Sequence, residues 1–391
     1  MSMPIAHDGE LHRVMKAWRH DLHAYPETAF EEYRTAAKVA ELLRSFGLKV
    51  HTGIAETGVV ATLTGLRPGE RSIGLRADMD ALHMQELNTF AHCSRHDGKM
   101  HGCGHDGHTS MLLGAAKYLS ENRDFAGTVV FIFQPAEEGE AGARAMCEEG
   151  LFTRFPVDAV YGMHNWPGLD VGEFAVHDGP AMAAMDLFDI EISGKGCHGG
   201  MPHMGVDPIV VAGQLISSLQ SIVARTLDPL ESGVVSVTRM QGGDAYNIVP
   251  DSVTLSGTCR TFCENVQSAL QSRMQQMVEN ICAAYGAEGK LDFRPVYPAT
   301  VNDKEHAGFC ADVATALAGA NNVKRDMAPS MGAEDFAFML KERPGAYIWI
   351  GNGSDRGGHG LHNPHYDFND DILPIGASYW VNLVNTLLTP E

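Results

Sequence analysis

Four short apolar runs along the chain end alike, in a turn that carries ionisable side chains. They are Ser72-Ile-Gly-Leu-Arg76 leading to Asp78 and Asp80, Thr128-Val-Val-Phe-Ile-Phe133 leading to Glu137 and Glu138, Ala159-Val-Tyr-Gly162 leading to His164, and Ala346-Tyr-Ile-Trp-Ile350 leading through a glycine-rich loop to His359 and His362. Uninterrupted apolar runs of this length predict strands buried on both faces. Their alternation with helical patterns predicts an α/β fold on a mostly parallel sheet. Open sheets of that kind bind ligands beyond the carboxyl ends of their strands, so the ionisable residues are expected to share one edge. A helix is predicted over Thr109 to Ser120, where Met111, Leu112, Ala115, Ala116 and Leu119 recur at helical spacing.

From about Ala181 the period changes. Asp186-Leu-Phe-Asp-Ile-Glu-Ile-Ser193 alternates as a half-buried strand does, and glycines follow it. A helix is predicted at Pro208 to Arg225, strands at Val234 to Met240 and Ser252 to Phe262, a helix at Asn265 to Tyr285, and a strand at Lys290 to Tyr297. The order βαββαβ is that of a ferredoxin-like split motif. Segments like those of the first part resume near Val301, which predicts an inserted domain over residues 181–297 within a discontinuous domain of residues 1–180 and 298–391.

The candidate chemistry is densest in His101-Gly-Cys-Gly-His-Asp-Gly-His108. A thiolate and an imidazole two positions apart are both good ligands for a divalent first-row metal, and the interleaved glycines let the backbone turn them toward one point. Placed before the predicted helix, Cys103 would have its pKa lowered by the helix dipole and by a bound cation. A structural zinc knuckle is the rival reading, but no second Cys/His pair at knuckle spacing lies nearby. Glu137 and Glu138, following a buried strand and Pro135, could divide their labour, one binding metal while the other takes a proton from water. Solvated surface charge is the plainer reading of that pair, as a hydrogen-bonded structural imidazole is of His164 and His362.

Composition narrows the function. The chain has 391 residues, 44% of them hydrophobic, and 29 basic against 49 acidic residues give a formal charge of -20. With no Lys/Arg-rich run, that balance argues against nucleic acid or an anionic membrane as partner. No apolar stretch approaches the ~20 residues that span a bilayer. The first residues lack a basic segment followed by an apolar one, and the 8 cysteines form no disulfide-like framework, so a cytoplasmic enzyme is expected.

Together these motifs resemble a known family, the dinuclear metallo-amidohydrolases that include aminoacylases, hippurate hydrolase, auxin-conjugate hydrolases and dinuclear zinc carboxypeptidases. The resemblance covers nearly the whole chain. It rests on Arg19-His-Asp-Leu-His-Ala-Tyr-Pro-Glu27, Met100-His-Gly-Cys-Gly-His-Asp-Gly-His108, Gln134-Pro-Ala-Glu-Glu-Gly139, Gly162-Met-His-Asn165, His198-Gly-Gly-Met-Pro-His203, Asn247-Ile-Val-Pro250, Gly332-Ala-Glu-Asp-Phe336 and Leu361-His-Asn-Pro-His365. It implies a catalytic domain of zinc-peptidase type with an inserted lid and dimerisation domain, and a homodimer or higher homo-oligomer. It implies two divalent ions per subunit, Mn2+ or Zn2+, held by Cys103, His105, Glu138, His164 and His362 with Cys103 bridging. Glu137 would be the general base, His198 would stabilise the oxyanion from the partner subunit, and Asn247 and Arg260 would hold the substrate carboxylate. Asp78 and Asp106, with His108, His203 and Glu334, would support the ligands. One departure stands out: the strand that elsewhere in the family ends in a metal-binding histidine carries Arg76-Ala-Asp78 here.

The expected reaction is hydrolysis of an N-acyl amino acid to a carboxylic acid and a free amino acid, with Glu137 taking a proton from water and passing it to the departing amine. A dipeptidase or carboxypeptidase on the same scaffold, a non-catalytic binder of amino-acid conjugates and a metal-stabilised assembly module are the alternatives. Met163, Met182, Met185 and Met331 could line an apolar acyl pocket or simply fill cores.

Overall fold

A computed structural model describes residues 3–353 and 359–389. The chain divides into two compact units, one of Met1–Ala181, Val301–Ala328 and Asp335–Glu391, the other of Met182–Thr300 and Pro329–Glu334.

The first unit is built on an eight-stranded sheet. Its early strands are β1 (Lys49–Ile54), β2 (Gly58–Thr64), β3 (Arg67–Asp78), β4 (Ala126–Gln134), β5 (Ala159–Pro167) and β6 (Phe174–Val176). Across the sheet the order is β1, β2, β4, β3, β5, Gly345–Gly353, β6 and Val323–Lys324. The four strands in the middle, β4, β3, β5 and Gly345–Gly353, run parallel to one another. They are the four that end in ionisable turns. All nine residues of Gly345–Gly353 are buried, as are all of β4 except Thr128, which is what helices or loops on both faces of a parallel sheet require.

Three helices from the N-terminal half fix the site's surroundings: α1 (Glu10–Ala24), α2 (Tyr33–Ser45) and α3 (His105–Glu121). Helix α3 packs between the sheet, α1 and the helix Leu373–Leu387. Its approach to α1 is close enough that a Cβ on Gly114 would lie 2.1 Å from the Met15 sulfur. The helix begins at His105, four residues before the start that its apolar period predicts. The period is silent there because His105, Asp106 and His108 are buried as polar residues inside the site. In the same way β5 continues through His164 to Pro167, so that His164 stands in the strand and not beyond it.

The second unit carries a four-stranded antiparallel sheet, ordered Gly233–Gln241, Ser252–Thr261, Ala184–Ser193 and Glu288–Tyr297. The helices Pro208–Arg225 and Glu264–Ala284 pack on it, and the chain order is βαββαβ. Buried residues alternate with more exposed ones along Ala184–Ser193 and Ser252–Thr261, the mark of a sheet with one covered face. Asp207 caps Pro208–Arg225 by accepting hydrogen bonds from the amides of Ile209 and Val210, and Pro208 occupies the first turn where its missing N–H costs nothing. Each predicted helix or strand end in this unit falls within two residues of the observed one.

Asp186 breaks the apolar pattern of this second core. Its Oδ1 accepts a 2.6 Å hydrogen bond from Gln267, while Oδ2 is buried without a partner. Burial pushes its pKa up to about 6, against the opposing effects of Gln267 and Arg260. The unfolded chain therefore ionises Asp186 at a lower pH than the folded chain does. Stability is lost as pH climbs from about 4 to about 6, and the loss persists above that range. Asp186→Asn, which cannot ionise, is expected to exceed the wild type in stability by about 2 kcal/mol near pH 8, with the advantage gone by about pH 4. Urea unfolding at both pH values checks this; an advantage independent of pH would show that charge is not the cause.

Candidate metal centre

The parallel strands deliver their polar residues to one end of the sheet. Beyond β4 the chain passes through Ala136, whose φ of +55° lies in the left-handed region, before reaching Glu137 and Glu138. Such a turn is strained for alanine. It is held by the Ala136 amide donating to Glu32 and the Ala136 carbonyl accepting from Gly142. His362 is also left-handed, at φ +61°, with its amide donating to the Gly102 carbonyl at 2.8 Å. That bond ties the loop bearing His362 to the turn bearing Cys103.

Five of the sequence-predicted residues converge here. The ligand atoms of Cys103, His105 and His164 lie within 4.8 Å of one another, as do those of Cys103, Glu138 and His362, so the Cys103 sulfur belongs to both sets. It is 3.3 Å from His164 Nε2, and Glu138 Oε1 is 3.3 Å from His362 Nε2 and 3.9 Å from His105 Nε2. Glu137 forms a further such set with His105 and Glu138.

The donor set fits divalent cations on the structure's own terms. His105 Nε2 and Glu138 Oε1 are buried without a hydrogen-bond partner, an arrangement that is costly unless something else satisfies them. The imidazoles are oriented for it. His105 Nδ1 donates to the Asp80 carbonyl at 2.9 Å and His164 Nδ1 to the Asn165 carbonyl at 2.6 Å, which leaves each Nε2 turned inward. Burial and the neighbouring His108 push the His164 pKa far down, keeping it neutral. Burial acts to lower His105 as well, but Asp78, Asp80 and Glu138 outweigh it and hold that imidazole up at about 10.

Cys103 departs from the expectation of a helix-lowered thiol. In the polypeptide alone, burial first and then Glu138, Glu137 and Asp78 push its pKa well above the ordinary thiol value. Burial and the carboxylates keep the thiol protonated in the polypeptide alone, and a bound cation would favour the thiolate.

Supporting residues divide into those the sequence suggested and those it did not. Asp78 lies 3.8 Å from His105 Nε2 and accepts from His108 Nδ1 at 2.7 Å. Burial acts to raise it, yet His105, His108 and Arg76 hold it well below the usual carboxylate range. The Asp106 carboxylate makes no hydrogen bond to a candidate ligand among the described residues. One step past His105 on α3, it points aside and bonds His23 at 2.8 Å and Arg19 at 3.3 Å. Asp80 was not among the expected supports, but it carries both His105 and the Glu138 amide, the latter at 2.9 Å. Arg76 is a second omission. Its fully buried guanidinium donates to Asp78 at 2.7 Å, Gln134 at 2.7 Å and Asp335 at 3.1 Å. Asp335 in turn accepts from Gln134 and from the Ala143 amide, and its own amide reaches Glu137 at 3.4 Å.

Five expected residues lie in the second unit. His198 pairs with Ile248 in a two-stranded ribbon, and the adjacent Gly199 amide donates to the Asn247 carbonyl at 2.8 Å, so His198 and Asn247 are neighbours. Arg260 bonds the carbonyls of Met331 and Cys259 and the Thr258 hydroxyl, all neutral acceptors. His203 is exposed in the same unit, while Glu334 is buried there.

A parallel α/β sheet whose strand ends gather thiol, imidazole and carboxylate ligands around a shared sulfur, with a further carboxylate beside them, defines a metal-dependent hydrolase. The chain belongs to peptidase family M20/M25/M40, whose model matches residues 74–386, and is thereby an enzyme acting on amide bonds. It is 38% identical over 384 residues to the N-acetylcysteine deacetylase of Bacillus subtilis, covering 97% of this chain and 98% of that one. It is 40% identical over 375 residues to the hippurate hydrolase of Campylobacter jejuni, covering 96% of each. Thermostable carboxypeptidase 1 of Saccharolobus solfataricus is 39% identical over 366 residues, 92% of this chain and 91% of its own. Among solved structures, a Bacillus subtilis dinuclear metal binding peptidase of the M20 family superposes with a TM-score of 0.85 at 36% identity, over 97% of this chain and 99% of that one.

Arg76 supplies the test of how the centre is held. Arg76→Met leaves Asp78 and Asp335 buried without their cation and is expected to cost about 3–5 kcal/mol in urea unfolding of the metal-free protein. A cost below about 1 kcal/mol, the range of an exposed ion pair, would show that the guanidinium is dispensable.

Proposed function

We propose that this chain hydrolyses N-acyl amino acids to a carboxylic acid and a free amino acid, using two divalent cations, Mn2+ or Zn2+, held by Cys103, His105, Glu138, His164 and His362. The observation that carries the proposal is the Cys103 sulfur shared by two ligand sets, which is what a bridging ligand between two ions requires. Bound there, the pair would polarise the scissile carbonyl and acidify a water molecule.

Glu137 is the general base. It lies beside His105 and Glu138, and the Asp335 amide fixes one of its oxygens. A carboxylate so placed takes a proton from the attacking water and returns it to the departing amine, since the base of addition is the acid of collapse. His198 donates to the oxyanion, and Asn247, its neighbour on the ribbon, works with Arg260 to hold the substrate carboxylate. Arg260 suits that role because no carboxylate among the described residues pairs with it in a salt bridge, and its hydrogen bonds run from Nε and Nη1, which leaves the Nη2 end for an incoming carboxylate.

A homodimer formed through the second unit agrees with two features of that unit. The strand Gly233–Gln241 stands at the edge of its sheet, and Ile209, Val210, Met240, Tyr246 and Ile248 are exposed. His198 then acts on the partner's substrate. No helix among the described residues is long and apolar enough to cross a membrane, and the acidic chain offers no basic surface run for nucleic acid.

Release of free amino acid from N-acetyl, N-benzoyl and indole-acetyl amino acids and from dipeptides, by protein loaded with manganese or zinc, tests the proposal. Acyl conjugates are expected to be cleaved, and Glu137→Ala to lose at least about 10²-fold in kcat with its metal retained. Cleavage of dipeptides alone would move the assignment to a peptidase, the activity named for the carboxypeptidase relative. Mixing Glu137→Ala with His198→Ala is expected to restore part of the activity in hybrid dimers. Absence of restoration despite proven subunit exchange would place His198 in its own chain's reaction or in none.

A further inference from the structure

We infer that Asn165 and Tyr366 are positioning residues that set the Cys103 sulfur between its two ligand sets; the inference rests on the reading of Cys103 as a shared metal ligand. Asn165 directly follows His164 on β5, and both its side chain and that of Tyr366 are fully buried. Its amide Nδ2 donates to the Cys103 carbonyl at 2.7 Å and lies 3.0 Å from His108 Nε2, sharing that nitrogen's one lone pair with the Asn165 backbone amide. Its Oδ1 accepts from the Tyr366 hydroxyl. The Asn165 side chain is therefore directed at the Cys103 turn and at the two groups flanking it.

Gly104 shows how tightly this pair bears on the turn. The residue sits at φ +95°, and a Cβ there would lie 2.2 Å from Asn165 Nδ2 and 2.8 Å from the Tyr366 hydroxyl oxygen. Asn165 and Tyr366 thus pack directly on the backbone next to Cys103, where glycine alone leaves room. A cysteine side chain has one rotatable bond before its sulfur, so a carbonyl held at one hydrogen bond and a following residue wedged in place fix the sulfur closely. The backbone of Asn165 works in the same direction. Its carbonyl accepts from His164 Nδ1, and its amide donates to His108 Nε2 at 2.9 Å, which commits His108 Nδ1 to Asp78.

The backbone contacts survive a side-chain truncation, which makes the side chain separately testable. Zinc affinity of the full chain, read by chelator competition, is measured for Asn165→Ala, Cys103→Ser and the double variant, with the thermal midpoint of each metal-free protein alongside. Each single substitution is expected to weaken zinc binding by about 10- to 100-fold. The losses are expected not to add: in the Cys103→Ser background Asn165→Ala costs less than about threefold, because the amide no longer has a thiolate to place. Tyr366→Phe removes one hydroxyl from a packed ring and is expected to show the same non-additivity at smaller size, which keeps the test decisive where Asn165→Ala does not fold. Additive losses, or undiminished zinc affinity in both Asn165→Ala and Tyr366→Phe, overturn the inference. Undiminished affinity in Cys103→Ser alone removes the reading of Cys103 as a ligand, and the inference with it.

Discussion

The buried guanidinium of Arg76 is the contact on which the rest of the centre depends. It stands on β3 and reaches Asp78 on its own strand, Gln134 at the end of β4, and Asp335. An arginine in this position is expensive to desolvate, and it is tolerated because every neighbour accepts from it and each is held by further hydrogen bonds. Asp78 passes the constraint to His108, whose other nitrogen accepts from the Asn165 amide on β5. Asp335 passes it to the Ala143 amide and to Glu137. One cation thereby cross-ties the ends of three parallel strands and the start of α3. The position is the one at which the resemblance leads to a metal-binding histidine in other branches. Here the position serves the scaffold, and under the proposed assignment the thiol of Cys103 would take up the ligand's place.

That exchange leaves the centre rich in anions. Asp78, Asp80, Glu137 and Glu138 converge on a site where Arg76 and His105 are the cations at hand, and Arg76 is already engaged. The consequence shows in the thiol, which its surroundings hold protonated, and in His105, which they hold charged. Two divalent ions would reverse both states, displacing protons as they bind. Electrostatically the centre is built as a cation site, and its polar groups are arranged around charge that the polypeptide does not itself supply. A structural zinc knuckle would not need this excess, since four neutralising ligands suffice to close such a site.

How much of this the sequence reveals depends on the range of the interaction concerned. Apolar runs report strands because burial on both faces is a local demand, and the alternation along Ala184–Ser193 reports a one-sided sheet for the same reason. The cluster around Cys103 is legible because glycine spacing and ligand type lie side by side in eight residues. Asp80 and Asn165 are not legible in that way. Asp80 stands in a strand-end turn and Asn165 in the motif Gly162-Met-His-Asn165, but their partners, Glu138 and Cys103, are 58 and 62 residues away, and nothing local assigns either residue its role. The start of α3 is missed because His105, Asp106 and His108 are buried for the chemistry and so break the apolar period that marks a helix. Asp106 follows from the same geometry: neighbours on a helix project about 100° apart, so a residue adjacent to a ligand in sequence faces a different cluster.

Glu137 and Glu138 show how the fold separates duties that sequence alone leaves tangled. Adjacent carboxylates carry the same charge and, on a regular strand, would point to opposite faces of the sheet. The left-handed Ala136 ends the strand just before them, so that both turn toward the centre instead. What then distinguishes them is what fixes each one. Glu138 is held by its amide on Asp80 and presents Oε1 to His105 and His362, the environment of a ligand. Glu137 has an oxygen tied to the Asp335 amide, within the frame that Arg76 organises. Under the proposed assignment Glu137 is the base, and a base that must accept a proton and give it back cannot be locked to a cation, but it must not drift from one either. Anchoring it through a backbone amide, next to a carboxylate that is itself anchored to the ligand set, meets both requirements with two residues of the same kind.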